Sequence, residues 1–226
     1  MIGLGLSLFM VIAAFEFLGM TRDLWGKLKG AEVETQSAEA ALEKIRIDIQ
    51  RAGQGLVAPM RDSTIAGVEL TGQTITVALA ESSYALSQDL VPGQTRLPLT
   101  TTSGLSAKRE ICLVENGWGE RHSIAVVEAA AVVLGEPLQA TYSRVGGQLH
   151  LIEKISYFLD ETSGVLRRKV NSSPAQPLLD DVAAVEFDYD ASVNLVTACL
   201  SLQNSKEKRY GISVFPKNVG LARPSS

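Results

Sequence analysis

The first twenty residues of the chain are almost entirely apolar, and Glu16 is the one charged residue among them. A helix of this length spans roughly 30 Å, which is the thickness of the hydrocarbon core of a bilayer. Apolar residues then recur at three- and four-residue spacing in a more polar segment that ends at Gly53. The pattern predicts one long helix, transmembrane over residues 1–20 and amphipathic over residues 21–53. The recurring apolar positions are Ala38, Leu42, Ile45, Ile49 and Ala52.

Beyond Gly53 the apolar residues alternate with polar ones, as they do in strands with one buried face. Residues 68–79 predict a hairpin, residues 123–134 one or two strands, and residues 150–170 the clearest hairpin of the chain. Residues 81–106 are rich in turn-forming residues and predict an exposed loop with short strand fragments. Further strands are expected at 110–114, 178–189, 195–202 and 211–215. The predicted fold class is α+β, with a β-rich antiparallel head over residues 54–226 behind the helix.

Composition and motifs argue against several classes of function. The chain has 226 residues, a net charge of −4 and a pI near 5.3, which disfavours nucleic acid as a partner. The sequence has no nucleophile elbow, phosphate-binding loop or metalloprotease motif, so we expect neither an enzyme nor a bound cofactor. The acidic residues around 160–161, 180–181 and 188–190 could group into a calcium site, but turns and solvated strand edges explain them without a metal.

Three stretches, in this order, resemble the PilW-type minor pilins and the related J-type pseudopilins of type II secretion. The first is the helix end, Ala-Ala-Leu-Glu-Lys-Ile-Arg-Ile-Asp-Ile-Gln-Arg-Ala-Gly, at residues 40–53. The second is Ile-Ser-Tyr-Phe-Leu-Asp at 155–160, followed by Gly-Val-Leu-Arg-Arg at 164–168. The third runs from Gln176 to Val182 and on to the strand at 185–189. A long helix that is first apolar and then amphipathic, ahead of a β-rich head, is also the family's architecture.

The resemblance implies a pilin-like fold and a role in starting type IV pilus assembly, in a priming complex at the filament tip. It implies other minor pilins and the major pilin as partners, with a tip adhesin as a further candidate. It also implies an inner-membrane location before assembly, a periplasmic head, and later incorporation into an extracellular pilus. The family's aromatic residue, glutamate and basic leader are expected to precede Met1. The helix-packing residues would be Leu4, Leu8, Val11, Ile12, Phe15 and Glu16, and the residues that pack the helix on the head Leu42, Ile45 and Ile49.

Glu16 and the two cysteines each allow two interpretations. Glu16 could contact the helix of a neighbouring subunit, or it could lie near the membrane interface beside Arg22. Cys112 and Cys199 could form a disulfide if the head folds in an oxidising compartment, or they could be two buried thiols that never meet. A closed loop of that length would stabilise the head by roughly 4 to 5 kcal/mol in the chain-entropy model.

Alternatives to the minor pilin also remain open. A J-type pseudopilin that primes a type II secretion pseudopilus is the nearest. A membrane-anchored periplasmic binding domain belongs to a different class, and a ligand in a pocket of the head would favour it. A cleavable signal peptide at residues 1–20 is disfavoured, because no basic residue precedes Arg22 and no good cleavage site follows the apolar run.

Overall fold

The computed structural model describes residues 2–222, with side chains described from residue 15 onward except those of residues 27, 205 and 206. The chain divides into two compact units, Met1–Ala41 and Leu42–Ser226. One continuous helix, α1 (Ile2–Gln50), begins in the first unit and ends in the second. The second unit adds two short helices and the strands. These helices are α2 (Val57–Arg61) and α3 (Lys217–Leu221).

Strands dominate the second unit, and all the observed pairings between them are antiparallel. The strands are β1 (Val68–Thr71), β2 (Thr74–Ala85), β3 (Arg96–Pro98), β4 (Glu110–Glu115), β5 (Trp118–Val127), β6 (Ala131–Leu134), β7 (Gln148–Asp160), β8 (Val165–Val170), β9 (Gln176–Leu179), β10 (Val182–Asp190), β11 (Leu195–Leu202) and β12 (Ser205–Val214). Nine of them form one sheet, and β10, β11 and β12 form a second one.

The long strand β7 organises the larger sheet. One edge of β7 pairs with β2 along most of its length. Its other edge pairs first with β4, at residues 148–151, and then with β8, at residues 155–160. The sheet therefore branches at β7, and residues 152–154 lie at the fork. From β4 the sheet continues through β5 and β6 to β3, and from β8 it continues to β9.

The end of α1 is tied to this sheet by backbone hydrogen bonds. Gly53 follows the helix with φ of +73°, a conformation that glycine adopts without steric cost. Its N–H donates to the Ala78 carbonyl at 2.7 Å, and the Gln54 carbonyl accepts from the Ala80 N–H at 2.8 Å. A Cβ at Gly53 would lie only 2.5 Å from the methyl carbon of Met60. The turn that follows α1 is therefore hydrogen-bonded directly to β2.

A large apolar cluster fills the other end of the nine-stranded sheet. Its buried members come from the six strands β2 to β7 and from the segments that follow β2, β3 and β6. Leu86, Leu90, Leu97 and Leu99 belong to it and are buried. The prediction of an exposed loop with short strand fragments at residues 81–106 is therefore only partly correct: most of these residues are exposed, but five are buried, namely Tyr84, Leu86, Leu90, Leu97 and Leu99. The reason is long-range pairing, because Leu97 lies opposite Val132 on β6.

The predicted α+β pilin-like fold class is wrong as well, since the described chain is mostly antiparallel β-sheet. Among the described residues, no helix is both long enough and apolar enough to cross a membrane. This contradicts the predicted transmembrane segment at residues 1–20 and the inner-membrane, periplasmic and extracellular-pilus localisation inferred from it. Glu16 lies within this segment, and Thr21, Arg22 and Asp23 follow it directly, so polar residues interrupt the apolar surface of α1. The side chains of residues 1–14 lie outside the described part.

The predicted hairpins at 68–79 and 150–170 are confirmed as β1–β2 and β7–β8. The stretch at 123–134 forms parts of two strands, β5 and β6. Both hairpins were readable because their strands alternate and are joined by a short turn.

Candidate functional site

Large apolar side chains are exposed on α1 within the first unit. Their exposed fractions lie between 54% and 76%. Such a run differs from the scattered exposed hydrophobics that are normal on a protein surface, and contiguous exposed apolar surface marks interaction sites. These side chains are Phe15, Phe17, Leu18, Met20, Leu24, Trp25, Leu28 and Val33.

Four of these residues form an apolar stripe, which we define as Phe17, Met20, Leu24 and Leu28. Their spacing of three, four and four residues places them one above another on a single helix face. Leu18 and Trp25, seven residues apart, border the same face. The hydroxyl of Thr21 donates to the Phe17 carbonyl at 2.8 Å, so this polar group is satisfied within the helix. The stripe therefore offers a continuous apolar surface.

The six predicted helix-packing residues are only partly visible. The side chains of Leu4, Leu8, Val11 and Ile12 lie outside the described part of the chain. Phe15 and Glu16 are both exposed. Counting turns along the helix, Glu16 lies one turn before Met20 and borders the stripe on the side that also carries Asp23. The neighbours of Glu16 in the structure thus decide neither of the two interpretations given for it.

The second feature is a buried carboxylate near the end of α1, inside the second unit. Asp48 is fully buried. Its Oδ2 accepts hydrogen bonds from the Tyr157 hydroxyl at 2.5 Å and from Arg168 Nε at 2.8 Å. Its Oδ1 accepts from Lys44 Nζ at 3.2 Å. We call these four residues the Asp48 cluster.

Local structure places each member of the cluster. Lys44 and Asp48 are four residues apart on α1, so they share a face. Tyr157 and Arg168 lie directly opposite each other on β7 and β8, so they share a face of the sheet. Arg168 Nε also lies 3.2 Å from the Tyr157 hydroxyl. The hairpin thus presents two preassembled donors to one carboxylate of the helix.

The electrostatics of the cluster favour the charged form of Asp48. Burial on its own would raise the pKa of this carboxyl. The hydrogen bonds from Tyr157 and Arg168 and the positive charges of Arg168 and Lys44 outweigh that effect and hold the pKa below its usual range. Burial and the neighbouring carboxylate raise the pKa of Tyr157, so its phenol stays protonated and donates. Burial lowers the pKa of Arg168, but hydrogen bonds to Asp48 and Tyr157 raise it overall.

The Asp48 cluster attaches α1 to the sheet. Both oxygens of the carboxylate are occupied by donors, and the group has no contact with solvent. A general base must lie within reach of a substrate, and Asp48 is fully buried. Breaking such a buried pair costs several kcal/mol because the remaining charge is left uncompensated. The cluster fixes the last turns of α1 to the β7–β8 hairpin.

The remaining predicted site residues all lie in the second unit. Leu42, Ile45 and Ile49 are buried in the second unit, on the last turns of α1. The candidate disulfide is absent, because Cys112 and Cys199 are free thiols. They lie on β4 and β11, which belong to different sheets. Among the residues whose side chains are described, no three His, Cys, Asp or Glu residues group as metal ligands.

Sequence reasoning identified the stretches that contain Asp48, Tyr157 and Arg168 but did not connect them. One signal was available in the helix. Asp48 is a charged residue between Ile45 and Ile49, on the face that the apolar spacing assigns to the core. A charge in such a position needs a buried partner. The partners are 109 and 120 residues away in sequence, so nothing local points to them.

No family model matches the sequence, and no curated protein matches it. Among solved structures, the tailspike gp49 of Pseudomonas phage LKA1 is similar over 32% of this chain and 15% of its own length, with 16% identity and a TM-score of 0.28. The Gp54 tailspike of Acinetobacter baumannii phage AP22, solved with a capsular saccharide, covers the same shares with 14% identity and a TM-score of 0.28. The endosialidase of phage phi92 covers 64% of this chain and 36% of its own, with 9% identity and a TM-score of 0.22. This chain thus spans well under half the length of each, and the similarity carries no functional argument.

Proposed function

We propose that this chain is a non-enzymatic structural subunit of a filament, of the minor pilin type, and that it acts in starting the assembly of a type IV pilus. The observation that carries the proposal is the run of exposed large apolar side chains on α1. In the proposed assembly, the stripe packs against the helices of other pilin subunits, both minor and major.

The energetic argument follows from burial. An apolar side chain such as Phe, Leu or Met contributes about 1.5 to 3 kcal/mol when it passes from water to a fully packed environment. The four stripe residues are all more than half exposed in the isolated chain. Covering them therefore supplies a substantial driving force for helix association, while the polar surface of the second unit stays in water.

The Asp48 cluster supports the same proposal in a different way. A helix that carries packing forces between subunits needs a firm attachment to its own head. The ion pair between the buried Asp48 and the partly buried Arg168 provides a directional attachment, together with the hydrogen bond from Tyr157.

The test uses the source organism. The gene is deleted and then complemented with the wild type, with L24D/L28D, or with the control Q36E/S37E. Leu24 and Leu28 belong to the stripe, whereas Gln36 and Ser37 are exposed polar residues of the same helix. Both variants add two negative charges. Filaments are counted by electron microscopy and quantified after shearing.

We expect the deletion strain to lose filaments, and the wild type and the control to restore them. L24D/L28D should reduce filament number at least tenfold, although its second unit keeps the wild-type melting temperature. Full restoration by L24D/L28D, or normal filaments in the deletion strain, would contradict the proposed function. Loss of filaments in the control to the same degree would show that added charge, and not the stripe, is responsible.

A further inference from the structure

A cleft of about 330 Å³ lies where the nine-stranded sheet branches. Strand β7 changes its partner from β4 to β8 there, so neither partner covers residues 152–154. The walls come from the start of β4, from the middle of β7 and from the end of β8 with the turn that follows it. The volume falls within the usual range of small-ligand sites, roughly 300–1,000 Å³. We call this feature the branch cleft.

The charge of the branch cleft is opposite to that of the chain. Four basic side chains and one acidic side chain line it, whereas the whole chain carries a net charge of −4. Glu110 is the acidic one, and it is already paired with Lys154 at 2.7 Å and lies 3.9 Å from Arg121. The basic residues are Lys108, Arg109, Lys154 and Lys169.

Two of these cations have no acidic partner within the described part of the chain. Arg109 pairs with Glu81 and Lys154 with Glu110, but neither Lys108 nor Lys169 forms an ion pair with a described carboxylate. Two uncompensated cations beside one cleft create a local positive potential, which attracts anions most strongly at low ionic strength.

A buried donor in the same place is also unsatisfied. Arg109 Nε is buried and has no hydrogen-bond partner among the described residues, although the same side chain donates from Nη2 to the Ile152 carbonyl at 3.1 Å. A buried donor without an acceptor costs roughly 1 to 3 kcal/mol, so such groups call for an explanation. Glu110 Oε2 is likewise buried without a hydrogen-bond partner, so this wall of the cleft leaves one donor and one acceptor unsatisfied.

The backbone around the cleft is held in an uncommon conformation. Lys108 and Asn171 have φ of 66° and 51°, in the left-handed region. Lysine is rare there, and strained residues tend to cluster at binding sites. Hydrogen bonds fix both positions: Lys108 N–H donates to the Ile124 carbonyl at 2.7 Å, and Asn171 N–H donates to the Lys154 carbonyl at 2.8 Å. Ser156 and Ser172 add hydroxyl groups to the walls.

From this arrangement we propose that the branch cleft binds a small polyanion through its oxyanion groups. Lys108 and Lys169 supply the charge, Arg109 adds to the positive potential of the wall, and the serine hydroxyls and the side-chain amide of Asn171 supply neutral donors. Phosphate, sulfate and carboxylate share this chemistry, and a cleft of this size has room for a ligand with more than one such group. The inference is independent of the proposed filament role.

The experiment is calorimetric titration of the full-length chain with pyrophosphate, sulfate and citrate in separate runs at constant ionic strength. The test variant is K108N/K169Q, because asparagine tolerates the left-handed backbone at position 108. The control is R144Q/K217Q, which removes two positive charges from exposed positions elsewhere on the second unit. Lys154 is left unchanged, since its removal would strip Glu110 of its closest partner.

We expect saturable one-to-one binding of at least one of the three anions by the wild type, and the preferred anion identifies the class of oxyanion. K108N/K169Q should bind that anion at least tenfold more weakly, while the control stays within twofold of the wild type. Raising NaCl from 50 to 300 mM should also weaken binding. If K108N/K169Q fails to fold, K169Q alone should bind at least threefold more weakly.

Three results would overturn the proposal. The first is that none of the three anions binds the wild type in a saturable way. The second is that the test variant binds as tightly as the wild type. The third is that the control loses as much affinity as the test variant, because the attraction would then belong to the surface as a whole.

Discussion

Replacing Asp48 with asparagine removes the charge of a fully buried carboxylate, whose partner Arg168 has a side chain that is 19% exposed, and leaves the shape of the side chain nearly unchanged. The substitution keeps one acceptor oxygen but introduces an NH₂ group opposite the donors of Tyr157 and Arg168. It also leaves the partly buried guanidinium of Arg168 without its counter-ion. Removing one partner of a buried pair costs about 3 to 5 kcal/mol. For a chain of this size that loss corresponds to a decrease of roughly 6 to 20 °C in the melting temperature.

The assay is urea unfolding of D48N, followed by circular dichroism of the β-sheet signal, beside two further variants. D160N is the matched control, because Asp160 lies on the same hairpin and pairs with Arg167 at 2.9 Å while being partly exposed. Exposed pairs contribute about 0 to 1 kcal/mol, so D160N should remain close to the wild type. The double variant D48N/R168M should be less destabilised than the sum of D48N and R168M, since it leaves no unpaired charge.

A loss of less than about 1 kcal/mol in D48N, equal to that in D160N, would refute the reasoning, because a buried charge cannot lose its counter-ion at so small a cost. Strict additivity of D48N and R168M would contradict the direct contact between the two side chains. A change in the slope of unfolding against urea, rather than in its midpoint, would point to the unfolded state instead of the Asp48 cluster.

Three more predictions test other parts of the structure. Because the folded pKa of Asp48 is depressed, its stabilisation is present above the unfolded value of about 4 and is lost as the pH falls through the folded value. The difference in unfolding free energy between wild type and D48N should therefore shrink below about pH 4, and a constant difference down to pH 2 would contradict this. Burial raises the pKa of Cys112 to about 12, whereas Cys199 is half-buried. Iodoacetamide at pH 8 should thus modify Cys199 in the native chain and Cys112 only after denaturation; mass spectrometry measures this, and a chain with no reactive thiol would indicate a disulfide. L97A should cost about 2 to 5 kcal/mol in urea unfolding, because Leu97 is fully buried, and an effect under 0.5 kcal/mol would restore the exposed-loop prediction.

The β7–β8 hairpin shows why part of this fold could be predicted from the sequence. Its two strands alternate apolar and polar residues, and a short turn at residues 161–164 joins them, so both pattern and pairing are local. The segment at 81–106 is the opposite case. Its leucines have no regular period, and the burial of Leu97 depends on β6, more than thirty residues further along the chain. Turn residues dominate the local pattern there, so the pattern does not indicate which of the leucines are buried.

The sequence alone was sufficient for the long helix, its end near Gly53 and the succession of antiparallel strands, because helix and strand periods are properties of neighbouring residues. The same local reasoning predicted a membrane span at residues 1–20 that the described helix does not support. Tertiary structure alone decided the branch at β7, the separation of Cys112 from Cys199, and the meeting of Asp48 with Tyr157 and Arg168. Each of these depends on which distant strands pair, and buried charges find their partners through that pairing rather than through spacing along the chain.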